Sequence, residues 1–161
     1  FGIESGSQRV LGDVYKKAIR LEDISGVIHE ARKAGVHTLG FFMLGAPSET
    51  IEEIESTIRL SRSLALDEAT FSITTPLIGT YLYEMVKGDN KYTLSEDYAD
   101  FNYYRKRAFE GDGLSHRKLR YYQKKALLLF YIDPKRWRYV LIHLISMKGF
   151  IKLFNKLRRF I

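Results

Sequence analysis

Apolar and polar positions change period several times along the chain. Ile24, Val27, Ile28 and Ala31 fall at i, i+3, i+4 and i+7, which predicts an amphipathic helix that Gly35 ends. Val36 to Leu44, "VHTLGFFML", then runs apolar and aromatic between Gly35 and Gly45, the pattern of a strand buried on both faces. Thr50 and Glu53 have capping-box spacing, and Ile51, Ile54 and Ile58 give the helix they open an apolar face. Ala69 to Thr75, "ATFSITT", predicts another strand, stopped by Pro76, and Thr80 can cap a short helix that finishes at Gly88. At the start, Phe1 and Ile3 read as the end of a buried strand and Ser5 to Ser7 as the turn leaving it. Two helical segments fill the first crossover, one opened by Ser5-x-x-Gln8 and one at Arg20-Leu21.

Strand, helix, strand, helix, strand, helix is the order of right-handed βαβ units on a parallel sheet. Three strands cannot close a barrel, so residues 1–88 are expected to be part of a larger sheet. Past the turn-forming Gly88-Asp89-Asn90 the period becomes helical, and residues 89–161 form a separate extension. Leu119, Tyr122, Ala126, Leu129 and Phe130 make one stripe, ended by Pro134. Trp137, Val140, Leu141 and Leu144 make a second. Phe150, Leu153, Phe154 and Leu157 make a third, backed by Lys152, Lys156, Arg158 and Arg159. The aromatic cluster "YADFNYY", Tyr98 to Tyr104, is placed to cover an open sheet edge.

Charge divides the chain in the same place. Residues 1–100 carry 10 Lys/Arg against 16 Asp/Glu, a net −6, and residues 101–161 carry 16 against 3, a net +13. Cationic faces beside aromatic residues suit an anionic lipid surface or a nucleic-acid backbone, or are simply solvated. No groove-reading motif favours nucleic acid. At 45% hydrophobic residues the chain can build a core. No apolar run reaches the ~18–20 residues of a membrane span, and no signal-peptide pattern opens the chain. The expected location is cytoplasmic, with peripheral membrane contact through the basic half as an option. There is no cysteine, which excludes disulfides and thiolate metal sites built from this chain. His29, His37, His116 and His143 show no metal-ligand spacing.

In parallel α/β folds, ligands bind at the carboxyl ends of the strands. Those ends here are Glu4 to Ser7, Gly45 to Thr50 and Thr75 to Thr80. Their Gly, Ser, Thr and Pro content also suits plain helix capping, except at Glu4. A carboxylate straight after a buried strand is better used to accept hydrogen bonds from hydroxyls or an amine. Glu49 is read as a helix cap rather than a ligand.

"GIESGSQRVL", "KKAIRLEDI", "GVHTLGFFMLGAPSETIEEIESTI" and "ITTPLIGTYLYEM", in this order and spacing over residues 1–85, resemble the later part of a radical S-adenosylmethionine (SAM) enzyme. The nearest subgroup is the Fe–S oxidoreductases that often carry an upstream cobalamin-binding domain. "LLLFYIDPKRW" resembles the helical tail of that subgroup and extends a weaker match over nearly the whole chain. The resemblance implies α/β architecture, the C-terminal half of a partial (β/α)6 TIM-like barrel followed by a basic, mainly helical tail. It implies that the three strands are strands four to six. A [4Fe–4S] cluster would be ligated by a CxxxCxxC motif in a missing N-terminal half of the same polypeptide, and cobalamin is an option there. It assigns Glu4 and Ser5 to the SAM ribose or amino group, Lys17 to the SAM carboxylate, Met43 to packing near the adenine, and Thr75 and Pro76 to the adenine edge. Ala46 and Ser48 depart from the Gly-Leu-Pro-Gly-Glu-Thr pattern frequent in the fifth strand. Without the resemblance, Lys16, Lys17 and Arg20 read as a solvated basic edge. The expected function is SAM binding for 5′-deoxyadenosyl radical chemistry on a small-molecule or lipid-like substrate, with no catalytic residue in this part. The alternative is a non-catalytic basic module that binds anionic lipid or nucleic acid.

Overall fold

The computed structural model describes residues 1–101 and 107–137. The predicted stripes beyond Trp137 and the end of the Tyr98–Tyr104 cluster lie outside them. Strand β1 (Gly2–Glu4) is followed by a π-helical turn (Val10–Val14) and helix α1 (Leu21–Lys33). Then come β2 (Leu39–Leu44), α2 (Ile51–Ser63), β3 (Glu68–Ile73) and α3 (Tyr81–Gly88). A hairpin of β4 (Thr93–Leu94) and β5 (Phe109–Glu110) precedes α4 (His116–Tyr131). Strands β1, β2 and β3 form a parallel sheet in that order.

The helices begin where side chains take the first free N–H groups. Thr50 and Glu53 form a full capping box on α2, Thr80 accepts from the Tyr83 N–H of α3, and Ser115 accepts from the Lys118 N–H of α4. Apolar stripes then bring α1, α2 and α4 onto one face of the sheet. Ile24 and Ile28, Ile54 and Ile58, and Leu119, Ala126, Leu127 and Phe130 share one core with Ile3, Phe42, Leu44, Phe71 and Ile73. In it Phe42 stacks on Phe71 at 5.2 Å between ring centroids, and Phe130 meets Phe71 edge-on at 6.4 Å.

The other face is open, which corrects the expectation of a strand buried on both faces. β2 starts at Leu39, with Val36 and His37 exposed ahead of it. Its side chains alternate, with Gly40, Phe42 and Leu44 buried and Phe41 48% exposed. Register places Gly2, Phe41 and Thr70 in one row across the open face, and Met43 beside Ser72. All three large helices pack on the opposite side, which leaves Phe41 about half exposed.

The two edges of the sheet also differ. Along β3, buried Gln123 donates to the Phe71 carbonyl at 2.7 Å, and the Tyr131 hydroxyl lies 3.4 Å from both the N and O of Ala69. Helix α4 thus satisfies groups that a further strand would need. Along β1, Lys17 Nζ meets the Gly2 carbonyl at 3.1 Å, and an apolar groove of about 280 Å3 opens between β1 and α1, lined by Phe1, Ile3, Ile19, Ile24, Val27 and Ile28. At the far end of α2, buried Arg136 places its guanidinium 3.0–3.2 Å from the carbonyls of Ser61, Arg62 and Leu64, and 3.8 Å above the Phe130 ring. A cation at a helix C-terminus is favoured by the backbone dipoles.

Candidate functional site

The carboxyl ends of the three strands are tied together by side chains that sequence spacing brings from far apart. Ser5, fully buried after β1, shares a hydrogen bond with Thr57 of α2 at 3.3 Å and accepts from the Ser7 N–H at 3.1 Å. Gly6 lies so close to α2 that a Cβ there would stand 2.5 Å from the Ser56 carbonyl oxygen. Tyr15, at the end of the π-helical turn, reaches across to Thr74 after β3, with 2.7 Å between hydroxyls. Burial pushes the Tyr15 phenol up well above its ordinary range, and the Glu49 carboxylate adds to the shift.

Glu4 and Lys17 form one unit. Glu4 has φ +70, a left-handed backbone that costs roughly 1–2 kcal/mol for a residue with a Cβ. Lys16 has φ +53, which turns the chain so that the next side chain comes back to β1. Lys17 Nζ donates to Glu4 Oε1 at 2.7 Å and to the Gly2 carbonyl at 3.1 Å. Gly2 leaves the space, because a Cβ there would lie 2.8 Å from Glu4 Oε1 and 3.3 Å from Lys17 Nζ. The ion pair therefore stands over the open face, with 16% of the Glu4 side chain and 35% of the Lys17 side chain exposed. Backbone strain at two residues that aim a charged pair is a known mark of functional sites. Lys16 itself points into solvent, 5.4 Å from the Tyr81 ring centroid.

The remaining candidates sit differently. Met43 is half-buried on the open face, next to Ser72 of β3. Thr75 and Pro76 are buried past the end of β3, and the Thr75 hydroxyl donates to the Ile73 carbonyl at 3.3 Å. The structure brings Glu4, Lys17 and Gly2 together and gives Met43 the same face. It commits the hydroxyls of Ser5 and Thr75 to internal bonds.

Glu49 is not a helix cap, since Thr50 and Glu53 do that. Its carboxyl turns inward, 3% exposed, and Oε2 accepts from the N–H groups of Gly45 at 2.5 Å and Ala46 at 3.0 Å. Oε1 is buried without a hydrogen-bond partner. Burial raises its pKa to about 7, against the pull of those two N–H groups. On the other side of the same loop, Arg107 donates to the Gly45 carbonyl at 2.9 Å and forms a two-point bond with Asp112 at 2.6 and 2.5 Å. From the sequence, Glu49 is read as a cap and Arg107 is not singled out. The signal available for Glu49 was a strand-end loop with free N–H groups and one carboxylate in reach. Arg107 is 62 residues from Gly45 and gave none. No group of three or more His, Asp or Glu side chains suited to a metal occurs among the described residues.

No family model matches the chain. Over 143 residues, 84% of its length, it is 36% identical to an uncharacterized methyltransferase of Pyrococcus horikoshii, of which it covers 29%. Over 88 residues it is 38% identical to the cytidylyl-2-hydroxyethylphosphonate methyltransferase of Streptomyces wedmorensis, covering 51% of this chain and 16% of that protein. Over 134 residues it is 29% identical to the anaerobic magnesium-protoporphyrin IX monomethyl ester cyclase of Cereibacter sphaeroides, covering 78% of this chain and 21% of that protein. The chain thus spans less than a third of the length of these curated relatives, and the relatives are enzymes.

Proposed function

We propose that this chain supplies the last three strands of a partial (β/α)6 radical SAM barrel in a longer cytoplasmic methyltransferase or related enzyme, with the open sheet face turned toward SAM and substrate. The observation that carries the reading is the asymmetry of the sheet. Helices cover one face, α4 closes the β3 edge, and the opposite face and the β1 flank stay open. A barrel wall has this form, with helices outside, a lumen inside and polar groups at the carboxyl ends of the strands. The apolar groove beside β1 then receives the preceding strand and helix of the same polypeptide. Similarity to methyltransferases and a cyclase supports an enzyme that takes SAM.

The residues present fit part of SAM. Glu4 and Lys17 offer opposite charges to a zwitterion, and Met43 and Phe41 offer apolar surface to a flat base. Ser5, Thr75 and Pro76 would act through backbone shape, because their side chains are buried or bonded internally. SAM held there supplies a methyl group or, after one-electron reduction, a 5′-deoxyadenosyl radical. A [4Fe–4S] cluster does not fit this chain, which has no thiolate to offer it. Its ligands, and any cobalamin, belong to the rest of the longer polypeptide. The share of these residues is binding and orientation. Lys17 exchanges Glu4 for the ligand carboxylate, and Glu4 turns to the ligand's hydroxyl or ammonium group.

The test is anaerobic SAM titration into the reconstituted longer protein. A hydrogen bond to a charged group is worth more than tenfold in affinity, so Glu4→Ala and Lys17→Ala should each weaken SAM binding at least about tenfold. Lys16→Ala, at an exposed position, should leave it unchanged. Normal SAM binding by both Glu4→Ala and Lys17→Ala would sink the reading.

A further inference from the structure

Helix α4 has a second apolar stripe besides the one it buries. Tyr121, Leu128 and Ile132 fall at i, i+7 and i+11 and are 61%, 64% and 56% exposed. Trp137, 53% exposed, is fixed beside them by its indole N–H, which donates to the Ile132 carbonyl at 3.1 Å. Single exposed apolar residues are ordinary, but four large ones along one side of a helix and the turn that follows it mark an interaction surface.

The flanks of this row are cationic. Helix α4 has five Lys/Arg and no Asp/Glu in its sixteen residues. Arg117, Lys118 and Lys124 are exposed and make no ion pair among the described residues. Aliphatic side chains in the middle, Tyr and Trp with polar tips, and lysines and arginines at the margin match the layers of a bilayer interface. A phosphate backbone would use the cations but leave Leu128 and Ile132 against water.

We propose that the outer stripe of α4, continued by Ile132 and Trp137, docks on an anionic lipid surface. Leu128, Ile132 and Trp137 enter the boundary of the acyl chains, and Arg117, Lys118 and Lys124 lie among the headgroups. The net −6 of residues 1–100 against the five Lys/Arg of α4 favours an approach with α4 toward the lipid. Because the inner side of α4 packs on the helix-covered side of the sheet, docking leaves the open sheet face free. This surface does not depend on the SAM reading, and the two can fail separately.

Trp137 is the only tryptophan in the chain, so its fluorescence reports on the stripe alone. The full chain is titrated with vesicles of phosphatidylcholine alone and of phosphatidylcholine with phosphatidylglycerol, with and without brominated acyl chains. The anionic vesicles should shift Trp137 emission to shorter wavelength, brominated chains should quench it, and added salt should weaken binding steeply. Each buried Leu or Ile contributes more than a factor of ten, so Leu128→Glu with Ile132→Glu should cost at least about tenfold in partition. Both positions are exposed, and circular dichroism checks that the variant folds. Three results overturn the proposal. One is unchanged binding by the variant, which assigns lipid contact to residues 138–161. Another is Trp137 already shielded from aqueous quenchers without vesicles, which means the chain itself covers the stripe. The third is tighter binding to duplex DNA than to anionic vesicles with no lipid quenching.

Discussion

A buried carboxyl such as Glu49 couples loop shape to proton uptake. Its pKa in the fold is about 7 against an ordinary value of 4.5, so the folded state favours the protonated form. That contribution is complete below pH 4.5, falls as pH rises toward 7, and is flat above. A shift of this size corresponds to at most about 3 kcal/mol. Glu49→Gln keeps the shape and places an N–H₂ where Oε1 lacks a partner. Urea midpoints measured from pH 4 to 8 should therefore rise in the variant above pH 7 and lose most of the decline seen in wild type between 4.5 and 7. An identical slope in both proteins would remove the account of Glu49. Glu53 works in the opposite sense, since the Arg9 guanidinium holds its pKa down to about 2. Its contribution is present above pH 4.5 and is lost as pH falls toward 2, so Glu53→Gln should lower stability above pH 4.5 and flatten the acid limb. Of these residues, Glu53 was legible from its spacing to Thr50. Glu49 was not, because a carboxylate beside a helix start reads as a cap until its rotamer is known.

Elements here are held by contacts over long sequence distance, and their loss should show as cooperative destabilisation. Arg136 donates to three carbonyls at the end of α2, 72–75 residues away, and is 4% exposed. Arg136→Met leaves those carbonyls buried without a donor and should cost about 3 kcal/mol or more. Arg136→Lys keeps the charge but cannot span three acceptors, and thermal unfolding should place it between the two. Gly6→Ala tests the contact of the β1 loop with α2. A methyl group 2.5 Å from the Ser56 oxygen forces a shift worth about 1–3 kcal/mol, and a variant as stable as wild type would mean the loop yields freely. The order of strands and helices was legible in the sequence, because capping residues and apolar period lie close together in the chain. The open face of β2 was not. Leu39, Phe41 and Met43 are as apolar as the buried set, and period alone does not distinguish a face that meets helices from one that stays open.

For the whole molecule, the proposed division of labour has a direct test. With no cysteine, this chain incubated anaerobically with iron and sulfide should gain no thiolate-bound cluster absorbance, whereas the longer protein should. A stoichiometric, chelator-resistant cluster on this chain would reassign the ligands. Glu4 and Lys17 were picked out from the sequence, and the structure adds that they bind each other over Gly2. What the sequence could not yield is the closure of the sheet by α4, since Gln123 and Tyr131 belong to a helix far from β3. That closure also sets a clock on synthesis. Tyr131 lies 62 residues downstream of Ala69, so at 5–20 residues per second a ribosome delivers it roughly 3–12 s after the strand it seals. Until then the rim of β3 and the apolar face that α4 covers lack their partner, and that interval is when a holdase on the emerging polypeptide should matter most.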